Sequence, residues 1–599
     1  MLILANLSLP LDAGLSGGSH LVIEAICARL KIAPADVADI HLTRRSVDAR
    51  KRSDVHFVAT VETDLAESSG GAVREQELAE RLVSRQVRYE PCTIVEERLA
   101  RSDPFAPDSD QLPAPEHPPI VLGSGPAGLF CALRLARAGL CPILIERGSE
   151  VHERKAKVEE FLSTGILGMQ SNIQFGKGGA GTFSDGKLTT NGRNPLNAAV
   201  LETFVSAGAP DEILWQGKPH IGTDHLVEAV ANIRKHIEEL GGLVLFDTQL
   251  TRIFTEADEH PVIGAEAGTR MRHLAAVEIS NAVPLKAEQF TESLSKIVQL
   301  TNVQAEDDTL RAIVPCETLV LAIGHSARDT FEMLLDEDVY LQPKAFSVGV
   351  RIEHLQADID RAQYGDAAAH PALGPADYKL AEHLESGRGV YTFCMCPGGT
   401  VVPAASELDG VVTNGMSDFA RDGVNANAAL LVDVRPEDFG STQPLAGIEF
   451  QRRWERMAYA LGGGSYRAPA QFVGDFLMAR SSEHSEYLKR EDAVKPSYAR
   501  GVTWCDLREC LPAFVCESMA EALPRFNRKL SGYANPCAVM TGVETRSSSP
   551  IRIVRDETLQ ADIAGLYPCG EGAGYAGGIM SAATDGLRVA EAIVQVARE

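Results

Sequence analysis

Ile120-Val-Leu-Gly-Ser-Gly-Pro-Ala-Gly-Leu-Phe130 decides how this chain is read. An apolar run ends in Gly123, Gly125 and Gly128 and passes into a helical pattern, Leu129 to Gly139. A second apolar run, Pro142-Ile-Leu-Ile145, closes on Glu146, with Arg147 beside it. Strand, glycine turn, helix, strand and acid in that order make the dinucleotide-binding unit. Gly123 permits the tight turn, Gly125 lets backbone approach a pyrophosphate, and Gly128 lets the helix lie close on the strand. The helix N-terminus offers N–H groups and the positive end of a dipole to phosphates. Glu146 stands where a carboxylate accepts both ribose hydroxyls.

Around this unit lies a chain of 599 residues, too long for one core and consistent with three or four domains. A hydrophobic share of 45% with 23% charged residues is that of a globular protein with a large interior. The net charge of −25 speaks against nucleic-acid or anionic-membrane partners. The start, Met1-Leu-Ile-Leu-Ala-Asn-Leu7, lacks a basic region and a long apolar stretch, and the run over 118–146 is broken by glycines and charges. We therefore expect no signal peptide and no membrane span. Twelve scattered cysteines fit a reducing, cytoplasmic setting and suggest no metal site.

Residues 1–95 read as a small α+β domain, with a helix over Gly18–Leu30 and a strand over Val55–Val61. Arg44, Arg45, Arg50, Lys51 and Arg52 between them are an anion or partner site, or a solvated face. Residues 96–117 form a proline-rich linker. The nucleotide fold then comes in separated pieces. After the first, an amphipathic helix spans Asp224–Leu240, with Thr223 as N-cap and Gly241-Gly242 past its end. The strand Leu243–Phe246 follows, and a β-rich stretch leads to the buried strand Thr318–Gly324.

The C-terminus carries the second strong signal. Gly565–Glu571 reads as a strand reaching a glycine-acid pair, Gly570-Glu571; Gly572–Ile579 is glycine-rich, including Gly578; Ser581–Ala597 reads as a helix. A strand returning from the far end of the chain to such a pair suits a flavin. The carboxylate can bind a ribityl hydroxyl, and the helix N-terminus can stabilise negative charge on the N1–C2=O edge. The expected fold class is therefore α/β: a three-segment Rossmann-like FAD-binding domain (118–334 and 556–599), an inserted α+β substrate domain (335–555), and the small N-terminal α+β domain.

With these motifs in hand, the chain resembles FAD-dependent dehydrogenases of the glutathione-reductase-like superfamily. More narrowly, it is similar to a bacterial family of uncharacterised FAD-dependent (NAD/FAD-utilising) dehydrogenases. The first motif, Thr318–Gly324 and Gly570–Ile579 carry the superfamily likeness. Asn172-Ile-Gln-Phe-Gly-Lys-Gly-Gly-Ala-Gly-Thr-Phe-Ser-Asp-Gly-Lys187 and Phe393-Cys-Met-Cys-Pro-Gly-Gly399 carry the narrower one. The resemblance implies FAD and redox chemistry and no particular substrate.

The glycines of Phe175–Lys187 suggest backbone lying against the cofactor, with Gly179, Gly181 and Thr182 as contacts and Gly324 opposite. Lys187 is a charge near flavin or an anionic substrate, or a solvated lysine. A flavin dehydrogenase also needs a group to take the substrate's proton. His325, past the Gly324 strand end, is the candidate base, against the plain reading of a hydrogen-bonded loop histidine. Cys394 and Cys396 are structural, substrate-contacting or redox residues; their spacing departs from Cys-x-x-Cys. Gly462-Gly-Gly464 follows a helical pattern and reads as its stop, so no second dinucleotide unit is evident. The expected partners are a small-molecule substrate and NAD(P)H or another electron carrier. A flavin monooxygenase, an RNA-modifying flavoprotein, or a flavoprotein with a binding role are the alternatives.

Overall fold

The computed structural model describes residues 1–83, 86–91, 103–183, 185–189, 194–257, 272–282, 303–306 and 309–599. Ile120–Leu122 forms a wholly buried strand at the centre of a five-stranded parallel sheet. The order across this sheet is Leu566–Pro568, Leu319–Leu321, Ile120–Leu122, Ile143–Ile145, Leu243–Leu245. Val121 is in register with Val320 on one side and Leu144 on the other. Burial on both faces explains why these runs are continuously apolar rather than alternating. They are shorter than the sequence pattern implies. The strand expected over Thr318–Gly324 keeps only Leu319–Leu321, because the chain leaves the sheet at Ala322 to enter the loop before the helix Arg328–Asp336.

Pro126 opens the helix Pro126–Arg137, a position where its missing N–H costs nothing. That helix lies against the C-terminal helix Ile579–Arg598 so closely that a Cβ on Gly586 would sit 2.1 Å from the Ala127 carbonyl oxygen. The helix Gly222–Glu239 packs on the same face. It starts before the expected cap: Ile221 is the N-cap, and Thr223 is buried inside the first turn with its hydroxyl directed at the Ser417 carbonyl. On the other face, a second sheet combines Thr248–Ala257, Arg272–Asn281, Val303–Glu306 and Thr309–Pro315 with the short strand Ile563–Ala564.

Between the fourth and last strands, in chain order, of the parallel sheet lies a seven-stranded sheet built around Phe346–Leu355 and Asn425–Val434. The first of these pairs antiparallel with the second and with Val539–Glu544. The helices Gln356–Tyr364, Ala446–Leu461 and Ala513–Lys529 accompany it.

At the N-terminus, the strands Val37–Asp48, His56–Leu65, Leu2–Leu9 and Val87–Tyr89 form a sheet in that order, with the helices Ser19–Leu30 and Gly71–Arg81. The basic cluster there is partly spent inside the molecule. The Arg45 backbone N–H donates to the Trp215 carbonyl at 2.7 Å, its own carbonyl accepts from Gly217 N–H at 2.7 Å, and its guanidinium lies over the Phe57 and Trp215 rings. Arg50 pairs with Asp48 at 2.5 Å. The proline-rich stretch has no helix or strand from 103 to 119, but it is docked. Buried Phe105 stacks on His236 at 3.8 Å and Asp108 accepts from Arg134 at 2.7 Å. Among the described residues, no helix is long and apolar enough to cross a membrane.

Candidate functional site

The glycine turn works by subtraction of side chains. Gly123 has φ of +99°, and a Cβ there would lie 2.3 Å from the Ala322 carbonyl oxygen. On Gly128, one turn into the helix, a Cβ would stand 1.8 Å from the Gly123 oxygen. Gly125 differs: a Cβ there would meet nothing nearer than the Gly179 Cα at 3.9 Å. Gly125 and Gly179 thus lie side by side, backbone against backbone, in the lining of a cavity of about 750 Å³.

That cavity gathers most of the residues picked out in the sequence. Gly123, Gly125, Glu146 and Arg147 line one part; Gly179, Gly181, Gly324, Glu571, Gly578 and Ile579 line the next. Lys187, His325, Cys394 and Cys396 line it as well. Gly128 and Gly570 stand behind the wall. Gly570, with φ of +75°, turns so close to the helix that a Cβ would come within 2.7 Å of the Ala127 Cβ. Thr182 belongs to the helical turn Ala180–Phe183, but its side chain lies outside the described residues.

Two helix N-termini open on this space, at Pro126 and Ile579. Neither N-cap, Gly125 or Gly578, provides a capping side chain, so the first-turn N–H groups are left to whatever enters the cavity. The Gly570 turn before the second helix is held by Asp585, which accepts from Gly570 N–H at 2.8 Å and from Arg555 at 2.7 and 3.0 Å.

Glu146 is buried, and both its oxygens are engaged. Oε2 accepts from Ser124 N–H at 3.0 Å and its hydroxyl at 2.8 Å; Oε1 accepts from Gly148 N–H at 2.9 Å and Gly176 N–H at 3.1 Å. A carboxylate has about four lone-pair positions. In this arrangement Glu146 ties the turn to the glycine loop, and a ribose hydroxyl would have to take over the position of the Ser124 hydroxyl. Arg147 donates to Asp329 at 2.9 Å and Thr330 at 3.0 Å, with its guanidinium over the Phe175 ring.

The loop of glycines owes its shape to a residue the sequence reading passed over. Arg154, fully buried on the helix Val151–Thr164, donates to the carbonyls of Asn172, Ile173, Gly176, Lys177 and Gly179. Burial pulls its guanidinium down to about 9, with the Glu146 charge opposing. Nothing in Glu153-Arg-Lys155 separates this arginine from a surface one; only the carbonyl-rich loop beside it does.

At the other end of the cavity, the strand Gly389–Cys396 carries a bulge between Phe393 and Cys396. Cys394 sits in it with φ of +41°, left-handed backbone that a side chain rarely adopts, and presents its side chain to the cavity. Fully buried Arg351 holds the bulge: it donates to the Cys394 carbonyl at 2.8 Å, to Glu544 at 2.5 and 3.1 Å, to Asn427 at 3.1 Å and to Asn414 at 2.9 Å. Burial raises the Cys396 thiol, and desolvation inside the cavity raises that of Cys394, so neither is a thiolate at neutral pH.

His325 lies in the loop after the sheet strand, four residues beyond Leu321 rather than at its end. Its Nδ1 is 3.1 Å from the Ser326 hydroxyl, which donates to Gln174 Oε1 at 3.2 Å. The Gln174 amide nitrogen donates to the Ala404 carbonyl, which fixes which end of the amide faces Ser326. The serine hydrogen is thereby committed, so Nδ1 carries the proton and Nε2 the lone pair. Burial, then Arg546 and Arg328, lower the imidazole to about 3 and keep it neutral. Burial also raises Glu571 to about 7, against the opposing charge of Lys344.

Residues 345–547 match the family described as FAD-dependent protein, C-terminal domain-like, and residues 1–64 match a domain of unknown function. FAD is accordingly the cofactor. An uncharacterised protein of Clostridium beijerinckii is 42% identical over 592 residues, covering 98% of each chain. Among solved structures, CtdE in complex with FAD is 11% identical, covering 81% of this chain and 89% of its own, with a TM-score of 0.27. L-proline dehydrogenase from P. horikoshii is 12% identical, covering 81% and 95%, with a TM-score of 0.31. Overlaps this loose decide nothing about the reaction. The near-full-length match does decide kinship: the chain belongs to the same family as the Clostridium beijerinckii protein, with FAD as its cofactor.

Proposed function

We propose that this protein is an oxidoreductase of the glutathione-reductase-like flavoprotein superfamily, moving a hydride between a small molecule and non-covalently held FAD. The observation that carries the reading is the pair of uncapped helix N-termini, Pro126 and Ile579, opening on one cavity from strands far apart in the chain. On this reading the flavoprotein domain comprises 118–334 and 556–599, and 335–555 is the substrate domain. Gly125 and the N–H groups after it would take the pyrophosphate, Glu146 the ribose, and Glu571 with the second helix N-terminus the flavin end. FAD, when bound, supplies a two-electron acceptor.

The chain's own part is to orient, to exclude water and to move a proton. His325 Nε2 accepts the proton that the substrate gives up as it is oxidised. A base lowered to about 3 is weak. Its share of the rate is therefore at the low end for proton transfer, roughly 100-fold. The other partner of the two-step cycle is NAD(P)H or another electron carrier, and the setting is cytoplasmic.

Purified protein is expected to be yellow, to release FAD on denaturation, and to bleach anaerobically with a donor found by screening NADH, NADPH and metabolites. His325→Gln should keep FAD but lose roughly 100-fold in kcat/KM. In Glu571→Gln protein, where the carboxyl raised to about 7 is gone, kcat/KM should stay flat from pH 8 down to 5, since the imidazole remains neutral throughout. Colourless protein that refuses added FAD would refute the cofactor assignment; an acid limb near 6.5 that persists in Glu571→Gln protein would contradict the lowered His325 and remove it from the proton path.

A further inference from the structure

The wall of the cavity formed by residues 185–187, 218, 377–379, 421 and 544–546 reverses the charge of the molecule. The chain as a whole carries −25, yet every carboxylate on this wall is already committed. Asp185 accepts from Arg421 and from the Ser417 hydroxyl. Asp377 accepts from Lys218 at 2.7 Å. Glu544 is held by Arg351. Arg546, the remaining cation of the pairs, is bound to Glu455.

Two ammonium groups are left over. Lys187 is no nearer than 3.8 Å to Asp185, whose oxygens are already taken by Arg421 and Ser417, and Lys379 has no ion pair or hydrogen bond among the described residues. The field of Lys187 reaches the wall itself, where it lowers the thiols of Cys394 and Cys396 against their burial. On this wall the cations outnumber the carboxylates: half-buried Lys187 shares Asp185 with Arg421 and exposed Lys379 stands at the rim, and that surplus favours a negatively charged occupant.

We infer that the substrate is an organic acid, and that Lys187 and Lys379 on the cavity wall bind its carboxylate. This rests on the flavoenzyme reading above and gives that site its substrate class. Lys187 and Lys379 act here as binding residues, since they touch substrate and move no proton.

The test uses the full-length protein loaded with FAD. Acetate, benzoate and succinate, with benzamide and succinamide as uncharged counterparts, are titrated at constant ionic strength while the flavin absorbance spectrum is followed. We expect the carboxylates to perturb the spectrum saturably and the amides to do so at least tenfold more weakly. Lys187→Gln and Lys379→Gln should each weaken carboxylate binding about tenfold, and Lys187→Arg should keep most of it. Three outcomes overturn the inference while leaving the flavoenzyme reading intact: equal binding of acids and amides, no spectral change with any acid, or Lys→Gln variants that loosen FAD and leave carboxylate affinity unchanged. Failure to bind FAD at all would instead overturn the functional reading on which the inference stands.

Discussion

Gly125→Ala and Gly128→Ala each replace one Cα hydrogen by a methyl in the same turn, yet they should fail in opposite ways. At Gly128, a methyl would sit 1.8 Å from the Gly123 carbonyl oxygen, where ordinary contact begins at 3.4 Å. The helix must retreat by the difference, 3.4 − 1.8 = about 1.6 Å, or the turn must open. In a close-packed interior, that overpacking costs about 1–3 kcal/mol of folding stability. At Gly125, φ of −70° and ψ of −178° are extended backbone that alanine adopts freely, and the nearest atom is 3.9 Å away. Folding should change by less than about 0.5 kcal/mol. The methyl instead projects between the turn and Gly179, where it holds a phosphate away from the first-turn N–H groups. Losing one charge-assisted hydrogen bond there costs about 1.5–3 kcal/mol, or roughly 10- to 100-fold in FAD affinity. Urea unfolding of the cofactor-free protein measures the first quantity and quenching of FAD fluorescence the second. Gly125→Ala protein that binds FAD within twofold of the parent, or Gly128→Ala protein as stable as the parent, would refute the steric reasoning.

Arg154→Lys should lose about 3 kcal/mol or more, because a single ammonium cannot serve five carbonyls in a buried loop, and FAD binding should fall with it; a melt and a flavin titration read both. Arg351→Met should cost about 3–5 kcal/mol by stranding Glu544 in the interior, and Arg351→Met with Glu544→Gln should recover part of that. If the single variant is as stable as the parent, the bulge does not depend on the pair. Glu571 is raised to about 7, above its unfolded value, so its contribution is whole at pH 4.5 and lost as pH climbs through 7. Glu571→Gln should therefore gain about 1–3 kcal/mol over the parent in cofactor-free protein at pH 8 and nothing at pH 4.5. A gain that is the same at both values would sink that account.

Much of this arrangement was legible in the residues. The glycine turn, the acid after the second strand and the C-terminal Gly570-Glu571 announce themselves because backbone geometry permits so few alternatives; Gly123, Gly125, Glu146 and Glu571 line one cavity, with Gly128 and Gly570 behind its wall. The strand end is hidden in the sequence where an apolar residue leaves the sheet and stays buried, as at Ala322 after Leu321. Thr223 looked like a cap because its type suits one; a contact with Ser417, almost two hundred residues on, overrides that preference. Arg154, Arg351 and Asp585 were invisible because their partners are backbone atoms or distant side chains, and a charged residue in a helix or strand has no local mark of burial. The proline-rich stretch reads as a linker, and composition reports its lack of helix and strand but not whether the segment is docked; Phe105 and Asp108 dock it.

The order of strands in the parallel sheet also sets a timetable. Ile120–Leu122 is flanked on one side by Leu319–Leu321, and beyond that by Leu566–Pro568. A ribosome must therefore deliver several hundred further residues after the glycine turn before the strand and helix that finish the pocket exist. Closing loops of that length is slow, and sheets joined this way fold late. FAD therefore has no complete berth on the nascent chain until Ile579–Arg598 has been made and has packed on Pro126–Arg137.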